Sequence, residues 1–289
     1  MCTTNEVGSE PVHTLTSSSI RETVEDALRN TTALNMTSTP NLNGRRALVI
    51  GAETTTGEAI ARALGKSGAD VALAVLQPDE GVLIARKLQR ELRAQGRHSM
   101  TYAMDVTLGR NVQVTTRQVA KELGGIDLVV SAPDELFLAP LSETSDAQLA
   151  HIMTLNGYAH AFAARSAFDE FHRKNHGMFL LVTHALGKHP LPGTAAYSLA
   201  CAAANGLLRT LAYEHEGPAL AAVGLLRGAS VFSADYTPKQ NLKTTISTTD
   251  ASEADTIGRL ACALAIADPS TVTGRIFSIQ NEEIVNTSQ

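Results

Sequence analysis

Tryptophan is absent from this chain of 289 residues, and aromatic residues make up only 4% of it. A hydrophobic core must therefore be built mainly from Ala, Val, Leu and Ile, and the 44% share of apolar residues is large enough for one. Such a composition favours a parallel sheet that helices cover on both faces. The length fits one large α/β domain, or at most two small ones.

Cysteine is scarce as well, since the chain has only Cys2, Cys201 and Cys262. An odd and sparse set argues against a disulfide framework and for a reducing compartment. Long apolar runs are also missing: no window holds the ~18 apolar residues of a membrane helix, and no apolar segment of the secretory type opens the chain. We therefore expect a cytoplasmic protein that does not cross a membrane.

Basic clusters are missing too, and the net charge is −5, from 24 basic and 29 acidic residues. This balance argues against a nucleic-acid partner. It leaves a small-molecule substrate or a protein partner open.

The composition divides the chain into two segments. Residues 1–43 are polar and rich in Thr, and Ser19 with Glu22 forms a capping-box pattern before apolar residues at helical spacing. This segment is either an arm that packs on the domain or on a neighbouring subunit, or a mostly disordered tail. Residues 44–289 are expected to form the globular domain.

Seven short apolar runs alternate with helix-length amphipathic stretches after Arg45. This alternation predicts βαβ units, and hence an α/β fold with a Rossmann-type doubly wound parallel sheet of about seven strands and helices on both faces. Ser230–Ser252, rich in Thr and Ser, is expected to be a mobile loop. The seven runs are Ala47–Ile50, Val71–Leu76, Met100–Met104, Leu128–Val130, Met178–Val182, Ala221–Leu226 and Arg275–Ile279.

The first predicted strand leads into a turn with two glycines and then into a helix. Gly51 permits the sharp turn, and Gly57 lets the helix pack closely on the strand. Backbone N–H groups and a helix N-terminus then meet at one point, which favours binding of an anion such as a pyrophosphate. The alternative is a turn of this kind that no longer binds a nucleotide.

This turn resembles the G-x-x-x-G-x-G motif of the short-chain dehydrogenase/reductase family, with Thr55 in place of the middle glycine. The resemblance implies an NAD(P)(H) cofactor, which Thr55 and Thr56 would contact. Asp105 matches the family's adenine-contacting Asp, although a strand-end cap explains it nearly as well. Ser131 opens the stretch that aligns with the family's Asn-Asn-Ala-Gly, and Ser233 would take the hydroxyl contact to the nicotinamide carboxamide.

The end of the second predicted strand, at Val75 and Leu76, carries no acid for the ribose of NAD and no Arg for the extra phosphate of NADP. The sequence therefore leaves the choice between the two cofactors open.

Tyr197 begins a stretch that resembles the family's Tyr-x-x-x-Lys motif, but Cys201 stands at the Lys position. In the family, the Lys lowers the pKa of the Tyr, which acts as general acid or base, and a neutral thiol supplies no such charge. His184 stands where the family has its substrate-binding Ser, and it either supports a remodelled site or reflects drift. Asn156 matches the family's structural Asn.

The resemblance runs from about Asn41 to Glu282 and is nearest to bacterial stress-associated and glucose-dehydrogenase-like members with long N-terminal arms. It implies a homodimer or homotetramer, and the small residues of the predicted helix Ala195–Leu211 permit close contact between helices. No metal site is expected, because His172 and His176 lack the Glu of the zinc-binding helix pattern.

Two functions remain compatible with the sequence. The first is an NAD(P)(H)-dependent oxidoreductase that acts on a carbonyl or alcohol, with Tyr197 as acid/base assisted by His184. The second is a catalytically impaired member, a pseudoenzyme that serves as a nucleotide-binding, scaffold or non-redox protein. The replacement of the Lys, the Ser, the middle Gly and the Asn-Asn-Ala-Gly stretch motivates the second.

Overall fold

The structure, a computed structural model, describes residues 40–215, 218–228, 242–280 and 283–286. All of these belong to one compact unit of the chain. The predicted arm, apart from residues 40–43, lies outside the described residues, and so does Ser233. The division of the chain into an arm and a domain therefore stays a prediction.

Within these residues, eight strands form a single sheet in the order β3-β2-β1-β4-β5-β6-β7-β8. The first seven run parallel, and β8 is antiparallel to β7. Each predicted apolar run coincides with one of the parallel strands, so the predicted doubly wound sheet is confirmed, with β8 in addition. The strands are β1 (Arg46–Ile50), β2 (Asp70–Ala74), β3 (Ser99–Tyr102), β4 (Leu128–Ser131), β5 (Gly177–His184), β6 (Leu220–Arg227), β7 (Ile276–Gln280) and β8 (Glu283–Asn286).

Helices connect the parallel strands β1 to β7, as parallel pairing requires. The central strands β4, β5 and β6 are buried along their whole length, which explains their almost continuous apolar sequences. The helices are α1 (Thr55–Lys66), α2 (Gly81–Ala94), α3 (Gly109–Leu123), α4 (Asp146–Met153), α5 (Ala159–Lys174), α6 (Ala195–Glu214), α7 (Leu242–Ala265) and α8 (Pro269–Val272).

The order of the strands reverses direction beside β1. The chain builds β2 and β3 on one side of β1 and β4 to β7 on the other. Sheets of this kind bind ligands in the crevice outside the carboxyl ends of the strands at such a reversal. The residues that follow β1 and β4 are therefore the ones to inspect for a site.

The prediction of a mobile loop over Ser230–Ser252 is wrong for its second half, because Leu242–Ser252 lies within helix α7. Thr and Ser are weak helix formers, and this misled the prediction. Packing decides the matter: Ile246 is 1% exposed and joins a buried cluster with Leu186 and Tyr197. Residues 229–241 lie outside the described residues.

Helix α7 also packs closely on α1. Gly258 lies so near this helix that a Cβ would stand 2.9 Å from the Ala59 carbonyl oxygen and 3.1 Å from the Ala63 Cβ. Among the described residues, none of the helices has the length and apolar character needed to span a bilayer.

A Gly→Ala substitution should have opposite effects on stability in helix α7 and in helix α6. Gly258→Ala forces α7 and α1 apart and should lower the free energy of unfolding by about 1–3 kcal/mol. Gly206→Ala on α6 is the matched control, because an added Cβ meets nothing within 4 Å. It should raise the free energy of unfolding by up to about 1 kcal/mol. Urea unfolding measures both, and changes of the same sign would contradict this packing.

Candidate active site

The turn after β1 is as tight as the glycine pattern predicts. Gly51 has a φ of 84°, and a Cβ there would overlap the carbonyl oxygen of Ala132, which follows β4. A Cβ at Gly57 would overlap the carbonyl of Gly51. Thr54 caps helix α1: its Oγ1 accepts from Gly57 N at 3.0 Å and donates to Gly51 O at 2.8 Å.

This turn opens helix α1 at the crevice between β1 and β4. Thr55 and Thr56 are its first residues; Thr55 is exposed and Thr56 is buried. The backbone N–H groups of a helix N-terminus favour a negatively charged ligand. Two close approaches that only glycine permits, next to a helix N-terminus, fit the diphosphate of a dinucleotide.

Two other predicted cofactor residues have partners within the protein. The Ser131 hydroxyl lies 2.9 Å from His160 Nδ1, and burial, helped by the charge of Arg227, lowers the pKa of His160 to about 3. Asp105 Oδ1 accepts from Thr107 N at 2.9 Å and from Thr107 Oγ1 at 2.5 Å, as in a strand-end turn. Their contacts to a cofactor stay predictions.

Tyr197 lies at the centre of a buried polar cluster. Its side chain is almost inaccessible, and its hydroxyl donates to Asp134 Oδ1 at 2.6 Å. The same hydroxyl accepts from Arg227 Nη2 at 2.6 Å, and Arg227 also forms an ion pair with Asp134. A cation and an anion thus meet at the hydroxyl of the predicted catalytic residue.

The parallel sheet explains why these residues meet. Arg227 ends β6 and lies in register with His184, which ends β5. Asp134 follows β4, which pairs with β5 on the other side. All three thus lie at the carboxyl ends of adjacent strands, and helix α6 brings Tyr197 over them.

Burial dominates the electrostatics of the Tyr197 hydroxyl and raises its pKa well above the usual value. The charge of Arg227 lowers this pKa, whereas the carboxylate of Asp134 raises it. Tyr197 therefore keeps its proton at neutral pH. In this state it is a proton donor and not a base.

His184 is buried against the same cluster. Its ring stands edge-on to the Tyr197 ring, with centroids 5.7 Å apart, and its Nδ1 accepts from Leu186 N at 3.0 Å. Burial, together with the charge of Arg227, lowers the pKa of His184 to about 2. The imidazole is therefore neutral at physiological pH, and its predicted assistance to Tyr197 is restricted to hydrogen bonding.

Cys201 lies one helical turn beyond Tyr197 and is also buried. Burial raises the pKa of its thiol to about 12, so the thiol is neutral. The short helical turn Ala185–Gly187 presses against it, since a Cβ at Gly187 would stand 2.8 Å from the Cys201 Cβ. Cys201 fills space beside the site and contributes no charge.

Asn156 holds the segment that carries Asp134. It lies in a π-helical turn, Thr154–Tyr158. Its Oδ1 accepts from Glu135 N at 2.9 Å, and its Nδ2 donates to Glu135 O at 3.1 Å and to Ile152 O at 3.2 Å. Both ends of the amide are thus used to fix the backbone next to Asp134.

Sequence reasoning missed Asp134 and Arg227, because it treated the stretch after Ser131 only as a lost motif and gave Arg227 no role. One signal was available: Arg227 is a charged residue directly after the apolar run Ala221–Leu226. Such a residue enters a buried place only with a partner. The described part of the chain contains no group of three or more His, Cys, Asp or Glu placed to hold a metal ion.

A family model described as short chain dehydrogenase matches residues 45–249. The chain therefore belongs to the short-chain dehydrogenase family, and the predicted resemblance is confirmed. The more specific subgroup with long N-terminal arms stays a prediction.

Relatives and solved structures agree with this assignment. Hydroxynaphthalene reductase arp2 of Aspergillus fumigatus is 30% identical over 173 residues, 60% of this chain and 62% of that protein. The 2,3-dihydro-2,3-dihydroxybenzoate dehydrogenase of Bacillus subtilis is 27% identical over 173 residues, 60% of this chain and 65% of that protein. These matches span less than two thirds of either relative. A dehydrogenase/reductase from Sinorhizobium meliloti 1021 superposes with a TM-score of 0.70 at 28% identity, covering 84% of this chain and 96% of that one.

The buried ion pair between Arg227 and Asp134 should stabilise the fold far more than the exposed pair between His151 and Glu135. Asp134→Asn removes the carboxylate that pairs with the buried guanidinium of Arg227 and should lower the free energy of unfolding by about 3 kcal/mol. Glu135→Gln is the matched control, because Glu135 pairs with His151 where both side chains are about half exposed. Its loss should cost about 1 kcal/mol or less. Equal effects in urea unfolding would contradict the buried pair.

Proposed function

We propose that the chain is an NAD(P)(H)-dependent oxidoreductase in which Tyr197 donates a proton to the carbonyl oxygen of a small-molecule substrate. Membership of the short-chain dehydrogenase family supports the reaction class. The glycine cradle at Gly51 and Gly57 supports the cofactor. When bound, the reduced cofactor supplies the hydride.

The observation that carries the proposal is the hydrogen bond from Arg227 to the Tyr197 hydroxyl. Negative charge develops on the phenolic oxygen as its proton leaves, and a cation at that oxygen stabilises it. The family takes this charge from the Lys that Cys201 replaces. Here a guanidinium, charged at every physiological pH, comes from the end of β6 instead.

Asp134 gives the buried hydroxyl a route to solvent. The carboxylate of Asp134 accepts the hydrogen bond from the Tyr197 hydroxyl. Its side chain is one-quarter exposed, whereas Tyr197 is almost inaccessible. A carbonyl substrate would take the hydrogen bond that Asp134 now accepts. After the reaction, Asp134 would return a proton from solvent to the phenolic oxygen. His184, held neutral by burial, would orient the substrate by hydrogen bonding.

Burial raises the pKa of Tyr197, so the phenol carries its proton at neutral pH. This is the form that carbonyl reduction requires, because the phenol then acts as the general acid. Oxidation of an alcohol needs the same group without its proton.

One observation favours a second candidate, a family member that binds a nucleotide without hydride transfer. The Tyr197 hydroxyl already donates to Asp134, inside a cluster closed by an ion pair. A substrate must displace the hydrogen bond between Tyr197 and Asp134. If the ion pair holds Asp134 in place permanently, the site has no catalytic activity.

One pair of measurements tests the proposal and separates the two candidates. NADH and NADPH are titrated against the full chain by thermal shift, since a ligand of the folded state raises the melting temperature. Cofactor oxidation is then followed at 340 nm with a panel of ketones, aldehydes and quinones. Tyr197→Phe should retain cofactor binding and lower turnover by a factor of about 100 or more.

The outcomes are distinct. Turnover that Tyr197→Phe does not reduce would remove Tyr197 as the acid. Cofactor binding without turnover on any acceptor would favour the second candidate. Absence of binding by either cofactor would overturn both.

Compartment and assembly extend the same proposal. We propose a reducing, cytoplasmic location, which the buried free thiols of Cys201 and Cys262 support. Assembly into a homodimer or homotetramer would use the exposed small residues of α6, among them Ala202 and Ala203.

A further inference from the structure

Glu53 places a carboxylate at the carboxyl end of β2. It belongs to the turn between Gly51 and Gly57, but its side chain reaches the neighbouring strand. Its Oε1 accepts from Leu76 N at 2.6 Å, just beyond the end of β2. The first turn therefore carries an acid to the place where the sequence of β2 itself has none.

The second oxygen of the Glu53 carboxylate is not used in this contact. Glu53 Oε2 is buried and has no hydrogen-bond partner among the residues that the structure describes. Burial raises the pKa of Glu53, and the nearby charge of Asp79 adds to the rise. A buried carboxylate oxygen without a donor is unfavourable, so the position suits a ligand that brings a hydroxyl group.

A second carboxylate, that of Asp79, lies near Glu53, and Gly81 packs closely against both. A Cβ at Gly81, the first residue of α2, would stand 2.9 Å from Glu53 Cγ and 3.2 Å from Asp79 Oδ1. Asp79 Oδ1 in turn accepts from Gly81 N at 2.9 Å. The turn Pro78–Glu80 beside them is exposed. A neutral hydroxyl could donate to Glu53 Oε2 without charge repulsion, whereas a phosphate would meet two carboxylates.

In sheets of this kind, an acid at the end of the second strand accepts the 2′-hydroxyl of the adenosine ribose of NAD, and NADP carries a phosphate there. We propose that Glu53 performs this recognition from the first turn, and that the chain therefore selects NAD(H) against NADP(H). This inference rests on the proposed function, because it assumes that the crevice takes a nicotinamide dinucleotide.

The test compares the two cofactors on the full-length chain by thermal shift and by isothermal titration calorimetry. NADH should bind about tenfold or more tightly than NADPH, the size expected for one hydrogen bond to a charged group and one repelled phosphate. Glu53→Gln keeps the shape and the Leu76 contact but removes the charge. It should weaken the binding of NADH, strengthen the binding of NADPH and bring the ratio of the two dissociation constants close to one.

Glu80→Gln is the matched control, since it removes one negative charge from the exposed turn without touching Glu53. It should leave the ratio within about twofold, as expected for a solvated charge. Adenosine 5′-monophosphate and adenosine 2′,5′-bisphosphate repeat the comparison without the nicotinamide half. They keep the test independent of Tyr197 and Arg227.

Each result decides something. Equal or tighter binding of NADPH by the unaltered chain overturns the inference. A strong NADH preference that Glu53→Gln leaves unchanged removes Glu53 as its cause. Failure of both dinucleotides to bind overturns the proposed function itself, and is thereby distinguished from a failure of selectivity.

Discussion

The ion pair between Arg227 and Asp134 is the interaction on which the candidate site depends. The guanidinium is 5% exposed and the carboxylate 25%, and charges removed from water to this extent must be paired. The pair joins the end of β6 to the segment after β4, and the Tyr197 hydroxyl ties α6 to both. Three elements distant in sequence are thus held together by one set of charge-assisted bonds.

Burial is the main reason why the groups around this pair are neutral, and for the two histidines the charge of Arg227 adds to it. Beside one fixed guanidinium, a second cation is unfavourable, and burial and this charge together keep His184 and His160 without a proton. Burial likewise keeps the Cys201 thiol protonated. The replacement of the family's Lys by Cys is consistent with this arrangement, because the site already contains its cation. The loss of the Lys is thus accompanied by a guanidinium that reaches the Tyr197 hydroxyl from another strand.

The sequence predicted what local patterns encode. Alternating apolar runs gave the strands, and the spacing of Gly51 and Gly57 gave the first turn, because periodicity and glycine conformation are local properties. The contact of Arg227 with Asp134 joins residues on different strands, and no local pattern encodes such a partner. Helix α7 was misjudged for a related reason: its Thr-rich start is held by Ile246 in a distant cluster. Asn156 was identified by its position, but its clamp on Glu135 depends on where the β4 segment runs.

A double-mutant cycle tests the relocation of the cation most directly. The charges of Arg227 and Asp134 both influence Cys201, so an ammonium group placed there should interact with both. In the cycle, Cys201→Lys adds a second cation, and Arg227→Leu removes the first. Each alone should lower the free energy of unfolding. Together they should partly compensate, with a favourable coupling of about 1–3 kcal/mol, because the new ammonium replaces the guanidinium beside Asp134. Cys201→Met, neutral and similarly long, should show no such coupling with Arg227→Leu. Additive losses in the Lys cycle, or an equal coupling for Met, would contradict the claim that Arg227 has taken the place of the lysine.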